Sequence, residues 1–99
     1  MSAAPPSAAA VVAVGHPDGL HLRPLTELAK LAAGLPCRVT LTKAGPAGPV
    51  TADAAVMMQT LTLAAGPGDE LTVAADGPGA PEAVEAVRRF VAAGAAAGG

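Results

Sequence analysis

Short segments in which apolar residues alternate with polar ones, or in which β-branched residues cluster, predict four β-strands. We expect these strands at residues 11–14, 38–42, 49–52 and 70–73. In the second strand the alternation places Val39 and Leu41 on the buried side. Because Pro49 cannot donate a ladder hydrogen bond, the third strand is expected at an edge of the sheet.

Longer segments between the strands repeat apolar residues every three or four positions, which predicts three amphipathic helices. We expect the helices at residues 22–33, at 54–65 and from 81 onward. The buried stripes of the first and last helices are predicted to consist of Leu25, Leu28, Ala29 and Ala32, and of Val84, Val87 and Val91. On the solvent face of the last helix, Glu85 and Arg89 are one turn apart and can form an ion pair.

The second helix is predicted to begin after Asp53, because aspartate side chains cap helix N-termini. A run of glycine and proline at residues 66–68 ends it. We place Met58 in the buried stripe together with Leu61. Met57 suits the core and an exposed, adaptable surface about equally well.

The element order βαββαβα predicts an α+β fold, a four-stranded antiparallel sheet with three helices on one face. Ninety-nine residues are enough for one domain. We expect that domain to span residues 11–93. Residues 1–10 and 94–99 are rich in Ala, Gly and Pro and are expected to be disordered tails.

The charge balance excludes several classes of partner. The net charge is −2 with only six Lys and Arg, so no basic footprint for nucleic acid or for an anionic membrane is present. No apolar run is long enough to insert into a bilayer.

A single cysteine, Cys37, cannot form an internal disulfide, which fits a reducing compartment. We expect a cytoplasmic monomer.

The candidate chemistry lies at residues 18–24, directly before the first helix. Gly19 permits a sharp turn of the backbone, and Pro24 is tolerated only in the first turn of a helix. His21 is therefore expected at the helix N-terminus, beside backbone N–H groups that have no intrahelical acceptor. With Arg23 two residues further on, a neutral imidazole there can act as a nucleophile for a phosphoryl group, whose charge the donors and the guanidinium would offset. The alternative is an ordinary surface histidine.

His16 is interpreted as a loop residue, because Pro17 follows it. Its spacing of five residues from His21 suits no helical metal pair, so neither a metal nor a cofactor is expected. No second acid or base accompanies His21, which argues against self-contained enzymatic turnover.

The segment Gly19-Leu20-His21-Leu22-Arg23-Pro24 resembles the G-L-H-x-R-P signature of HPr, the histidine-containing phosphocarrier of the bacterial sugar phosphotransferase system. Further landmarks follow in the same order and cover residues 11–93. They are Val50-Thr51-Ala52, Gln59-Thr60-Leu61, Gly68-Asp69-Glu70 and Ala75-Asp76-Gly77. The resemblance implies an open-faced sandwich with strand order 1-4-2-3.

The resemblance also implies a function. His21 would accept a phosphoryl group from phosphorylated enzyme I, which takes it from phosphoenolpyruvate, and would pass it to EIIA sugar-transport components. Arg23 would stabilise the phosphoryl charge. Docking is expected next to His21, at Leu22 and on the second helix, through the residues Ala55, Val56, Met57 and Gln59.

The chain departs from the family at four positions. Leu22 is bulkier than the small residue that usually follows the histidine, which is expected to tune access to His21. Ala54 stands where many relatives carry a serine that a regulatory kinase phosphorylates, so that switch is expected to be absent. Asp53 and Met57 stand where relatives often carry lysines. The alternative functions are an HPr-like regulatory module of a nitrogen-type phosphotransferase branch and, more remotely, a small ligand-binding or metal-trafficking domain, for which the Cys and His content is too low.

Overall fold

The computed structural model describes residues 7–93, and the predicted order βαββαβα is confirmed. Of the two predicted disordered tails, residues 1–6 and all of residues 94–99 lie outside the described residues. The strands are β1 (Ser7–Ala13), β2 (Val39–Lys43), β3 (Val50–Asp53) and β4 (Glu70–Asp76). The helices are α1 (Leu22–Ala33), α2 (Met57–Leu61) and α3 (Ala80–Ala92).

The four strands form one antiparallel sheet in the order β1-β4-β2-β3, as the resemblance implied. β3 lies at an edge, which confirms the expectation from Pro49. Val73 at the centre of β4 is paired with Ala10 on one side and Leu41 on the other. Its neighbour Thr72 faces solvent. One face of the sheet therefore carries the core and the other is open.

The core forms where the helices cover that face. Leu25 and Leu28 of α1 and Val87 and Val91 of α3 are fully buried, and the sheet contributes aliphatic side chains of the same kind. These sheet residues are Val39, Leu41, Leu71 and Val73. Phe90, the single aromatic residue, is only partly buried against this cluster. Aliphatic side chains thus supply most of the stabilisation by burial, at about 1.5–3 kcal/mol for each one fully buried.

The first strand begins earlier than predicted. β1 starts at Ser7, so residues 7–10 belong to the sheet and not to a tail. Ser7 pairs with Asp76 and Ala8 with Ala75, at the end of β4, which in turn continues three residues beyond the predicted limit. Alanine has little strand propensity, so the local pattern did not predict these extensions. The backbone hydrogen bonds between β1 and β4 extend both strands.

The second helix is much shorter than predicted, with five residues instead of twelve. Residues 54–55 form a turn, in which the Ala54 N–H donates to Val39 O at 2.9 Å. Asp53 does not cap the helix. Its Oδ1 accepts the Ala55 N–H at 2.9 Å, and its own N–H donates to Gln59 Oε1 at 2.9 Å. Hydrogen bonds to β2 and to Gln59 thus hold this segment in a turn although its alanines favour a helix.

Candidate functional site

The backbone turn before α1 depends on Gly19. Its φ is +77°, a left-handed conformation, and its N–H donates to His16 O at 3.0 Å. A Cβ at this position would lie 2.6 Å from Ala65 O. The next residue, Leu20, is buried and donates its N–H to Ala65 O at 2.8 Å. Glycine is therefore required here for its conformation, as the sequence predicted, and also for its small size, which only the structure shows.

His21 is the N-cap residue of α1, with extended backbone angles of −89° and −171°. Its carbonyl accepts the Leu25 N–H at 3.0 Å, while its side chain makes no capping hydrogen bond. The residue is exposed. Since Pro24 has no N–H, the donors of the first turn that lack an intrahelical acceptor are the N–H groups of Leu22 and Arg23. An exposed imidazole thus stands at a helix N-terminus that favours negative charge.

Arg23 is exposed at the second position of the helix. Within residues 7–93 its guanidinium forms no ion pair, whereas Arg38 is paired with Asp53 at 2.9 Å. A free guanidinium beside unpaired N–H groups can take up an anion without first breaking another contact. The structure thus brings Arg23 and His21 to the same helix end.

His16 does more than its loop position indicated. Its Nε2–H donates to Phe90 O at 2.9 Å, and its ring lies 5.3 Å from the Phe90 ring, centroid to centroid. Gly15 donates its N–H to Val91 O at 2.9 Å. These contacts attach the segment before His21 to the last turn of α3. No pattern in the sequence predicts this attachment, since residues 16 and 90 are far apart along the chain.

One of the predicted docking residues, Met57, lies against α1. The α1 residue Thr26 donates its hydroxyl to Met57 Sδ at 3.3 Å, which places α2 alongside α1. Leu22, Ala55, Val56 and Gln59 are exposed, and Met57 is partly buried against the core.

The placement of Met58 in the core was wrong. Met58 is 70% exposed and Leu61 is 43% exposed, while Met57 carries the contact with the core. The prediction rested on a longer helix beginning at residue 54. Because the helix begins at Met57, its only buried side chain is Thr60. Met58 and Leu61 therefore extend the exposed apolar surface.

Ala54, the position of the regulatory serine in many relatives, is fully buried in the turn before α2. It does not stand at a helix N-terminus as the sequence predicted, since α2 begins three residues later. In the part of the chain from 7 to 93, no three His, Cys, Asp or Glu residues gather as metal ligands, and no helix is long and apolar enough to cross a bilayer.

Comparisons with known proteins agree with one another. The family model described as "PTS HPr component phosphorylation site" matches residues 9–93. The phosphocarrier protein HPr of Streptomyces coelicolor is 39% identical over 83 residues, which is 84% of this chain and 86% of that protein. The multiphosphoryl transfer protein of Xanthomonas campestris is 36% identical over 75 residues, 76% of this chain but 8% of that much longer protein.

Solved structures give the same result. The crystal structure of a phosphocarrier protein HPr from Bacillus anthracis matches with a TM-score of 0.78 and 28% identity, over 86% of this chain and 96% of that one. The Bacillus subtilis protein Crh matches with a TM-score of 0.66 and 29% identity, over 84% and 91% of the two chains. With the open-faced sandwich, the histidine at the N-cap position of α1 and these matches in agreement, the chain belongs to the HPr family of phosphocarrier proteins of the phosphotransferase system.

Proposed function

We propose that His21 accepts a phosphoryl group from phosphorylated enzyme I and passes it to EIIA components of sugar transport. The observation that carries the proposal is the exposed His21 at the N-cap of α1, with an exposed Arg23 two residues on that forms no ion pair within residues 7–93. The family supplies the phosphocarrier chemistry. Beyond the family, we propose the phosphoryl donor, the phosphoryl acceptor and His21 as the residue that carries the group.

In the proposed reaction a ring nitrogen of His21, Nδ1 by the family resemblance, attacks the phosphorus of the donor phosphohistidine. One P–N bond forms as the other breaks, so the step is a transfer between two imidazoles with no net hydrolysis. The arriving group brings a charge of about −2. The N–H groups of Leu22 and Arg23, the helix dipole and the guanidinium offset this charge.

A carrier must present the same atom to two partners in turn, which requires an open site. His21 is exposed, and so is the apolar Leu22 directly after it, so either partner can cover this helix end. We define the docking face as the exposed residues Leu22, Ala55, Val56, Met58, Gln59 and Leu61 with the partly buried Met57 at its edge. Residues 54–68 contain no charged side chain, so binding there is expected to rest on apolar contact.

The direct test is incubation with phosphoenolpyruvate and a compatible enzyme I. One acid-labile, base-stable phosphoryl group per chain is expected, and His21→Gln should abolish it. His16→Gln is the matched control, because it removes the other histidine of the chain and should still be phosphorylated. Phosphorylation of His21→Gln to the parent's level would refute the site.

Arg23→Ala tests the role of the guanidinium. A charge-assisted hydrogen bond to the phosphoryl group is worth about 1.5–3 kcal/mol, so transfer should slow by roughly tenfold or more. The free energy of unfolding should stay within about 0.5 kcal/mol of the parent's, because the side chain is exposed. Equal transfer rates at limiting enzyme I would remove Arg23 from the site.

We further propose that the chain is not a substrate for an HPr-type serine kinase. Ala54 has no hydroxyl, and its complete burial means that Ala54→Ser alone would not present one to a kinase. Mass spectrometry after incubation with such a kinase and ATP checks this. Stoichiometric acid-stable phosphate between residues 51 and 62 would contradict it.

A further inference from the structure

Lys43, at the end of β2, reaches across to the segment between α2 and β4. Its Nζ donates to Leu63 O at 3.1 Å and to Ala64 O at 3.0 Å. The same nitrogen lies 3.2 Å from Asp69 Oδ2. The side chain is only 27% exposed, so its ammonium group is held among these three acceptors. One lysine thus ties a strand of the sheet to both ends of the 63–69 turn.

The 63–69 turn adopts a conformation that needs such support. Ala64 has a φ of +49°, the left-handed region that a residue with a Cβ adopts at a cost. Asp69 Oδ2 also accepts the Gly66 N–H at 2.8 Å. That hydrogen bond and the ammonium group of Lys43 hold the pKa of Asp69 below its usual range. The carboxylate is therefore stabilised in its charged form, which the pairing with Lys43 requires.

This turn is also the support of the segment that leads to His21. Ala65 O accepts the Leu20 N–H at 2.8 Å. Val14 exchanges two backbone hydrogen bonds with the far end of the turn, one with Gly68 and one with Asp69, both at 2.9 Å. Leu20 is the residue directly before the N-cap. A displacement of Ala65 O would therefore move the backbone of Leu20 and, with it, that of His21, which carries the imidazole.

We propose that Lys43, paired with Asp69, is a positioning residue for phosphoryl transfer: it fixes the 63–69 turn, and through Ala65 O and Leu20 it orients His21. The inference rests on the proposed function of His21. Lys43 itself touches neither the ring nor the phosphoryl group. Its effect is on the fraction of molecules in which the helix N-terminus is correctly aligned.

The first measurement is amide hydrogen exchange, which needs no partner protein. In Lys43→Met the Leu20 amide should exchange roughly tenfold faster relative to the Val73 amide, which reports global unfolding. Asp69→Asn should act in the same direction. Lys30→Met is the matched control, since it removes one lysine from an exposed pair with Glu27 and should leave the Leu20 amide unchanged.

The second measurement is the rate of phosphoryl transfer from enzyme I, at saturating and at limiting concentrations. If Lys43 acts through position, Lys43→Met and Asp69→Asn both lower the maximal rate by about threefold or more with little change in KM, and the double variant is no slower than Lys43→Met. If Lys43 acts only through its electric field at His21, the two single variants change the rate in opposite directions. Lys43→Arg should restore a large part of the rate.

The outcomes separate the inference from the proposed function. Absence of phosphorylation in the parent chain refutes the carrier role, and the exchange rates still decide whether Lys43 fixes Leu20. A phosphorylated parent with unchanged Leu20 exchange in Lys43→Met refutes the positioning role alone. Opposite signs for the two single variants would also overturn it.

Discussion

The helices α2 and α3 both pack near the sheet, yet their surfaces differ in kind. α3 has 13 residues and buries five of them, and its solvent face carries Glu82, Glu85, Arg88 and Arg89. α2 has five residues and buries only Thr60, and it exposes Met58 and Leu61. The charged side chains on the outer surface of α3 are well solvated. The exposed methionine and leucine of the short helix α2 contribute little to stability. We therefore interpret α3 as the helix that stabilises the fold, and the exposed apolar side chains of α2 support its proposed place in the docking face.

Placing a charge on α2 should have the largest effect on function. Met58→Asp puts a carboxylate into the docking face, so binding to enzyme I is expected to weaken by at least about tenfold. The free energy of unfolding should change by less than about 0.5 kcal/mol, because Met58 is exposed. Titration calorimetry measures the binding, and urea unfolding the stability.

Val11→Asp is the matched control for this substitution. Val11 is 62% exposed on the edge strand β1, outside the docking face, so the same change of charge there should leave binding unaffected. Equal weakening by the two substitutions would show that net charge, and not the face, controls the association.

Shortening a side chain in α3 should have the reverse outcome. Val87 is fully buried, so Val87→Ala is expected to lower the free energy of unfolding by about 2 kcal/mol through lost burial and the cavity that remains. Binding of the folded protein to enzyme I should not change. Met58→Ala is the comparison, with a loss of less than about 0.5 kcal/mol. Similar losses from the two variants would contradict the division of roles between the helices.

The smallest effect is expected from the solvent face of α3. Hydrogen bonds from Arg88 and then Arg89 lower the pKa of Glu85 from 4.5 to about 2. A carboxyl whose pKa is lowered in the folded state stabilises the protein at any pH above the pKa that it has in the unfolded chain. This contribution is lost as the pH falls from 4.5 towards 2. The gap in stability between the parent and Glu85→Gln should therefore close over this window. Because the pair is at the surface, the gap is expected to be small even at neutral pH.

The local sequence pattern was sufficient for most elements and failed at α2. In α1 and α3 the apolar stripe, the proline in the first turn and the residues after the last turn agree, so the predicted helices differ from the observed ones by a residue at most. At 54–65 the predicted cap Asp53 and the alanines after it favour a helix that begins at residue 54, three residues before the observed start. Two hydrogen bonds fix where the helix begins, one from Ala54 to Val39 and one between Asp53 and Gln59. The first of them forms only because the sheet brings β2 beside the end of β3. Because the helix start was predicted three residues too early, Met58 was placed in the core, whereas Met57 is the methionine that contacts it.

The amino-acid sequence by itself determined the order of the elements and the chemistry of the helix N-terminus, because glycine, proline and histidine impose their backbone preferences locally. It placed His21 at the start of α1 and put Arg23 beside it. Only the tertiary structure decided which groups hold that helix end in place. Three attachments join residues that are far apart along the chain: Gly15 and His16 to α3, Leu20 to Ala65, and Lys43 to the 63–69 turn. Such pairs leave no periodic pattern, since each forms only when the sheet brings its two partners together.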